Sequence, residues 1–161
     1  LWKILFIFSF AGCINPFAPE LDETIGSDGF SISDQSSVEG VFENLKYAYT
    51  FKDTSIYGNL LASDFIFTYF DYELNHNVSW GRDEEMRITD GLFSNTERLD
   101  LIWNRIVSIS GDSTNIVRSF NLTVTFNPTD IENIDGRVNL ILQKNSGNKW
   151  QITRWNDESN F

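Results

Sequence analysis

What the chain lacks narrows its reading first. One cysteine, Cys13, stands among 161 residues, so no disulfide can close within the chain and no cysteine-based metal site can be assembled. Bases are scarce: 12 Lys and Arg face 23 Asp and Glu, a formal charge of −11. Such a surface repels phosphate backbones and anionic headgroups. It speaks against nucleic acid as a partner, and any membrane association has to come from an anchor rather than a basic patch. The apolar stretch at the N-terminus stops at Asn15-Pro16, short of the roughly 20 residues a bilayer-spanning helix needs. There is no phosphate-gripping glycine loop, no Gly-x-Ser-x-Gly elbow and no internal repeat. What remains is 41% hydrophobic and 15% aromatic, enough to build the core of one ordinary domain.

Residues 1–12 read as a compressed export signal. Lys3 supplies the positive end, Ile4 to Phe8 the apolar segment, and Phe10-Ala11-Gly12 the small-residue approach to a cleavage point before Cys13. Leu1 in place of methionine implies a non-standard start or a truncated sequence. Phe10-Ala11-Gly12-Cys13 resembles the lipobox of bacterial lipoprotein signal peptides, with Phe10 where leucine is usual. The resemblance implies that Cys13 is acylated and holds the chain in a lipid bilayer of the bacterial cell envelope, since two acyl chains anchor stably where one is marginal. Ile14, rather than an aspartate, follows the cysteine, which by the same resemblance leans toward the outer membrane, facing the periplasm. Residues 13–35 carry Pro16, Pro19, Gly26, Gly29 and five acids without a base, an extended acidic tether with a short docking segment at Phe30 and Ile32.

Residues 36–161 read as a single domain. Ser36-Ser37-Val38-Glu39 forms a capping box, and Val38, Val41/Phe42, Leu45 and Ala48/Tyr49 recur at helical spacing, predicting a helix to about Phe51. Asp53 caps a second helix ending near Ala62-Ser63, and Phe65 to Phe70 predicts a strand buried on both sides. A polar loop from Asp71 to Ser79 precedes a third helix, opening at Gly81 with acids in its first turn and ending by about Asn95. Strands follow in succession: Leu99 to Ile109 with a bulge near Asn104-Arg105, Ile116 to Phe126 with one apolar face, Val138 to Leu142, and Trp150 to Trp155 after a turn at residues 145–148.

Three helices around one strand, then four antiparallel strands, resembles the nuclear transport factor 2-like (SnoaL-like) superfamily. The resemblance rests on Ala48-Tyr49 through Lys52-Asp53, Leu60-Leu61, Ser63-Asp64-Phe65 and the final Trp150-Gln151-Ile152-Thr153-Arg154-Trp155. It implies an α+β cone-shaped fold, three N-terminal helices packed in a curved antiparallel sheet, with an apolar pocket at the open end. It does not imply a reaction: members include isomerases, dehydratases and cyclases as well as proteins that bind ligands, dimerise or dock partners.

By resemblance to ketosteroid-isomerase-like members, the catalytic aspartate falls on Tyr69 and the oxyanion tyrosine on Leu45, removing both parts of a proton-abstraction site. Asp71, two residues beyond Tyr69 and on the same strand face, is the remaining base candidate, with Tyr47, Tyr49 or Tyr57 as donors; it reads more readily as the start of a solvated loop, with the tyrosines packed in the core. His76, the single histidine, reads as a solvated loop residue or a weak catalytic candidate. With Asp71 and Glu73 it forms a mixed cluster that matches no defined metal site, so no metal and no cofactor are expected. Trp80 and Trp155, with Tyr69 and Trp103, are the candidates to line a pocket, or to fill the core. Arg118, alone on an apolar strand face, needs a carboxylate such as Glu84 or Glu85, or an anionic ligand.

Two main roles follow, beside that of a purely structural envelope component: an envelope lipoprotein whose domain binds a small apolar ligand or a protein partner, as a monomer or a homodimer, without catalysis; or a lyase or isomerase. They part on whether a carboxylate stands inside an apolar cavity with a donor converging on it.

Overall fold

The structure, a computed structural model, describes residues 31–158; the export signal, Cys13 and the tether up to residue 30 lie outside the described residues. Its elements run α1 (Val38–Phe51), α2 (Thr54–Leu60), β1 (Leu61–Asp71), β2 (His76–Gly81), α3 (Arg82–Asn95), β3 (Arg98–Ile109), β4 (Asn115–Asn127), β5 (Asp130–Lys144) and β6 (Trp150–Asp157). The strands form one curved, unclosed six-stranded sheet in the order β2-β1-β6-β5-β4-β3. The fold is the α+β cone expected from the element order.

The N-cap of α1 is Ser37, one residue later than the capping box suggests: its side chain accepts from Gly40 N at 3.1 Å, and Glu39 is left for another partner. The helix stops where Lys52 takes a left-handed conformation (φ 55°), its backbone N–H returning to carbonyls of the last turn. Asp53 then caps α2, its carboxylate accepting from Ser55 N and Ile56 N, both at 2.9 Å. Along α1, Val41, Phe42, Leu45 and Ala48 are fully buried and meet Leu60, Leu99, Ile116, Leu140 and Ile152 from α2 and the sheet. Contacts with the sheet begin before residue 36. Gln35 is buried, and its carbonyl accepts from Trp150 N while its amide donates to Trp150 O.

Five more features depart from the sequence expectation, the first being that β5 begins at Asp130, eight residues before Val138. The stretch read as a polar loop contains β2, antiparallel to β1; it is an edge strand exposed along most of its length, which is why it looks polar. Helix α2 ends at Leu60, because Leu61 is already extended and pairs with β6. Strand β1 is not buried on both faces: Ile66 and Phe70 are more than a third exposed on its outer side. It also pairs parallel to β6, so the sheet is mixed, although β3 to β6 form the antiparallel succession expected. The β3 register shifts between Trp103 and Ile106, at the position marked by the change of apolar phase.

The core places a measurable load on α1. Leu45→Ala should destabilise the fold by about 2–5 kcal/mol, whereas Glu43→Ala on the exposed side of the same helix should change it by less than about 0.5 kcal/mol. Urea unfolding of the two variants checks this difference.

Candidate functional site

Helix α1 packs against β3 and β6, whereas α3 packs against β1 and β2. Between them the concave face of the sheet encloses a cavity of about 320 Å³. Residues of alternating parity supply its wall: Phe67 and Tyr69 from β1, Leu101 and Trp103 from β3, Phe120, Leu122 and Val124 from β4, Ile134 and Val138 from β5, Trp155 and Asp157 from β6. Trp80, next to last in β2, stacks on Phe67, with centroids 4.5 Å apart and planes 16° from parallel. The helices contribute Tyr49, Tyr57 and one face of α3: Glu85, Ile88, Thr89 and Leu92.

Glu85 is the one strongly polar feature set into this wall from the helical side. It is only 5% exposed. One carboxylate oxygen accepts from the Tyr57 hydroxyl at 2.5 Å and from the Thr89 hydroxyl at 3.2 Å, and the other accepts from Trp80 Nε1 at 2.6 Å. Three donated hydrogen bonds match a carboxylate, which only accepts when ionised. They offset the several kcal/mol that removing it from water costs. The neighbours are placed by tight docking of α2 on α3. Gly58 is buried so close to Met86 that an added Cβ would lie 3.0 Å from its methyl, and Arg82 donates to the Gly58 carbonyl at 3.0 Å. That docking sets Tyr57, the preceding residue, against Glu85.

The Tyr49 and Tyr57 hydroxyls hold their protons well past the ordinary tyrosine value near 10. Burial is the main cause for both. Glu85 and Asp157 add to it at Tyr49, while Tyr49 and Glu85 add to it at Tyr57.

Of the residues singled out from sequence, Tyr69, Trp80, Trp103 and Trp155 line the cavity. Trp103 also donates from Nε1 to the Phe42 carbonyl at 2.9 Å, tying the sheet to α1. The donor candidates Tyr49 and Tyr57 line the cavity too, whereas Asp71, His76 and Arg118 sit elsewhere. Asp71 opens the β1–β2 turn, where its carboxylate accepts from Leu74 N at 2.9 Å; strand parity alone put it beside Tyr69, but the strand ends there. His76 is exposed, its Nδ1 3.3 Å from the Leu74 carbonyl. Among the described residues no three His, Cys, Asp or Glu side chains converge as metal ligands.

Arg118 does have a carboxylate partner, but it is Glu39, with both oxygens about 3 Å from one guanidinium nitrogen, rather than Glu84 or Glu85. It lies over the Phe42 ring, toward the start of α1, while α3 covers the other end of the sheet. Glu84 is taken by Arg87.

The sequence offers Glu85 only as a possible partner of Arg118, and not as a cavity residue, because it sits in Asp83-Glu84-Glu85, which reads as acids favouring a helix N-terminus. The signal was its phase: Glu85, Ile88, Thr89 and Leu92 follow i, i+3, i+4, i+7 spacing, which places Glu85 on the apolar stripe.

No family model matches the chain, and no curated protein matches it in sequence. Solved structures do match. The Kfla4162 protein of Kribbella flavida superimposes with a TM-score of 0.66 at 8% identity, over 80% of this chain and 91% of that one. A scytalone dehydratase-like protein of Novosphingobium aromaticivorans gives 0.65 at 14% identity, over 77% and 82%. A SnoaL-like protein of Jannaschia sp. CCS1 gives 0.52 at 12% identity, over 74% and 85%. With neighbours described as nuclear transport factor 2-like, these similarities give the cone fold of that superfamily.

The buried hydroxyls set a pH dependence. A tyrosine in the unfolded chain ionises near pH 10, while these two in the fold stay protonated higher. The unfolded state therefore releases protons first, and stability falls as pH rises beyond about 10. Tyr49→Phe should make this fall shallower. Urea midpoints of both proteins between about pH 9 and pH 11 check it, and parallel slopes would refute the assignment.

Proposed function

We propose that this chain is a lipid-anchored bacterial envelope protein whose cone domain takes up a small apolar ligand without transforming it. The observation that carries the binding role is the cavity: about 320 Å³ of open space walled by aromatic and aliphatic side chains, the size and character of small-molecule sites in general. A core that served packing alone would have filled it.

A catalytic reading has two points in its favour. Glu85 stands inside the cavity with Tyr57 bonded to it, and one structural neighbour carries the name of a dehydratase. A lyase or isomerase would need the carboxylate or the hydroxyl to reach a substrate. The Tyr57 proton is instead donated to Glu85, so the donor that would have to converge on a substrate is turned onto the base, with Trp80 and Thr89 taking two more of its acceptor positions. Binding without turnover is therefore the reading that this geometry favours.

The anchor rests on the resemblance of residues 10–13 to a lipobox. Within the described residues no helix is long and apolar enough to cross a membrane.

Two measurements test the proposal. The neutral dye N-phenyl-1-naphthylamine should brighten on entering the cavity of the full chain, and Ile134→Trp, which plugs the wall, should abolish the change while leaving far-UV circular dichroism intact. A dye response unaffected by the plug would rule out the cavity as the binding site. In a bacterial host fed labelled palmitate, the chain should carry label and sediment with membranes, and Cys13→Ser should lose both. Unlabelled wild-type chain would refute the anchor.

A further inference from the structure

We propose that the occupant of the cavity is an organic ammonium ion on an apolar body, rather than a neutral or anionic molecule of the same shape. The inference rests on the reading of the cavity as a ligand site and adds the charge of the ligand to it.

The charged groups in the wall are of one sign. Glu85 and Asp157 both line the cavity, and among the described residues no Lys, Arg or His does. Glu85 is held in place by protein donors without being saturated. A carboxylate offers about four acceptor directions, and three are used: two on the oxygen facing Tyr57 and Thr89, one on the oxygen facing Trp80. The oxygen bonded to Trp80 keeps an acceptor position for an incoming N–H. Around it the wall is aromatic, with Tyr69 and Phe67 both packed against Trp80 at ring-centroid distances of 5.7 and 4.5 Å. Aromatic faces carry the negative side of a quadrupole and attract cations, most strongly where water is excluded.

An anionic ligand would meet two carboxylates and negative ring faces with no base to receive it. A neutral donor such as an alcohol could bond the open acceptor position of Glu85 but would gain little from the charge of either carboxylate. The ammonium ion gains from both carboxylates and from the ring faces, whereas the Trp155 indole N–H, buried without a partner, is a donor that does not recognise it. The raised proton affinity of the Tyr49 hydroxyl, to which Glu85 and Asp157 contribute after burial, is consistent with a negative potential inside.

Calorimetry on the full chain tests this with three ligands that share one body: naphthylethylammonium, naphthylethanol and naphthylpropanoate. The ammonium should bind about tenfold or more tightly than the alcohol, and the carboxylate should bind weakest. Asp157→Asn should reduce the preference for ammonium over alcohol, and Glu85→Gln should bring it close to parity, with alcohol affinity little changed. Because Glu85→Gln can disturb the fold, Asp157→Asn carries the test alone if it does. Ile134→Trp should abolish binding of the ammonium, which separates the cavity from general attraction to an acidic surface.

Equal binding of alcohol and ammonium, a preference for the carboxylate, or a charge preference unchanged in Asp157→Asn and Glu85→Gln would each overturn the inference while leaving an apolar ligand site standing. Failure of all three ligands and of the neutral dye would overturn both.

Discussion

The structure follows from a mismatch between one helix and the sheet curled around it. Helix α1 has 14 residues and reaches about 21 Å, whereas β4 and β5, with 13 and 15 residues, extend over about 45 Å. A single helix cannot cover that concavity. The left-handed turn at Lys52 ends α1 partway, and Asp53 redirects the chain into α2. Helix α3 then covers the side formed by β1 and β2 without filling the space beneath it. The cavity is what this division leaves, and its aromatic lining is the inner face of strands whose alternation would otherwise have made a solid core.

Onto this space the sequence places a carboxylate that folding alone would not favour. Burying Glu85 requires a hydroxyl from α2, another from its own helix and an indole from the end of β2. Hydrogen bonds to a charged acceptor are each worth more than neutral ones, and the loss of any one exposes the rest of the desolvation cost. An apolar residue of similar volume would satisfy the same packing at less risk. Its presence on the wall of a cavity is thus more readily understood through what enters the cavity than through stability.

Local signals in the sequence carried far. The spacing of Val41, Leu45 and Ala48 marked α1, Asp53 marked the start of α2, and the phase slip after Trp103 marked the register shift in β3. What was not legible was set by contacts distant in sequence. β2 looked like loop because an edge strand needs polar residues, and its strand character comes from pairing with β1. The parallel pairing of β1 with β6 joins segments far apart along the chain and leaves no local trace. The same holds at the site. Trp80, Trp103, Trp155 and Tyr69 could be picked out as large amphipathic groups on strands, but the partner of Arg118 depended on which end of the sheet each helix covers. Glu85 was hidden among neighbouring acids, where its position in the helical period, not its charge, held the information.

Of the four tryptophans among the described residues, Trp80, Trp103 and Trp155 stand in the cavity wall, while Trp150 packs beneath Lys144 away from it. Anything that enters displaces solvent from beside those indoles and changes the polarity they sense. The fold thereby contains its own optical reporter: occupancy is written into the ultraviolet emission of the unlabelled protein, so that a chemically diverse collection of small molecules can be screened against it with neither dye nor tag.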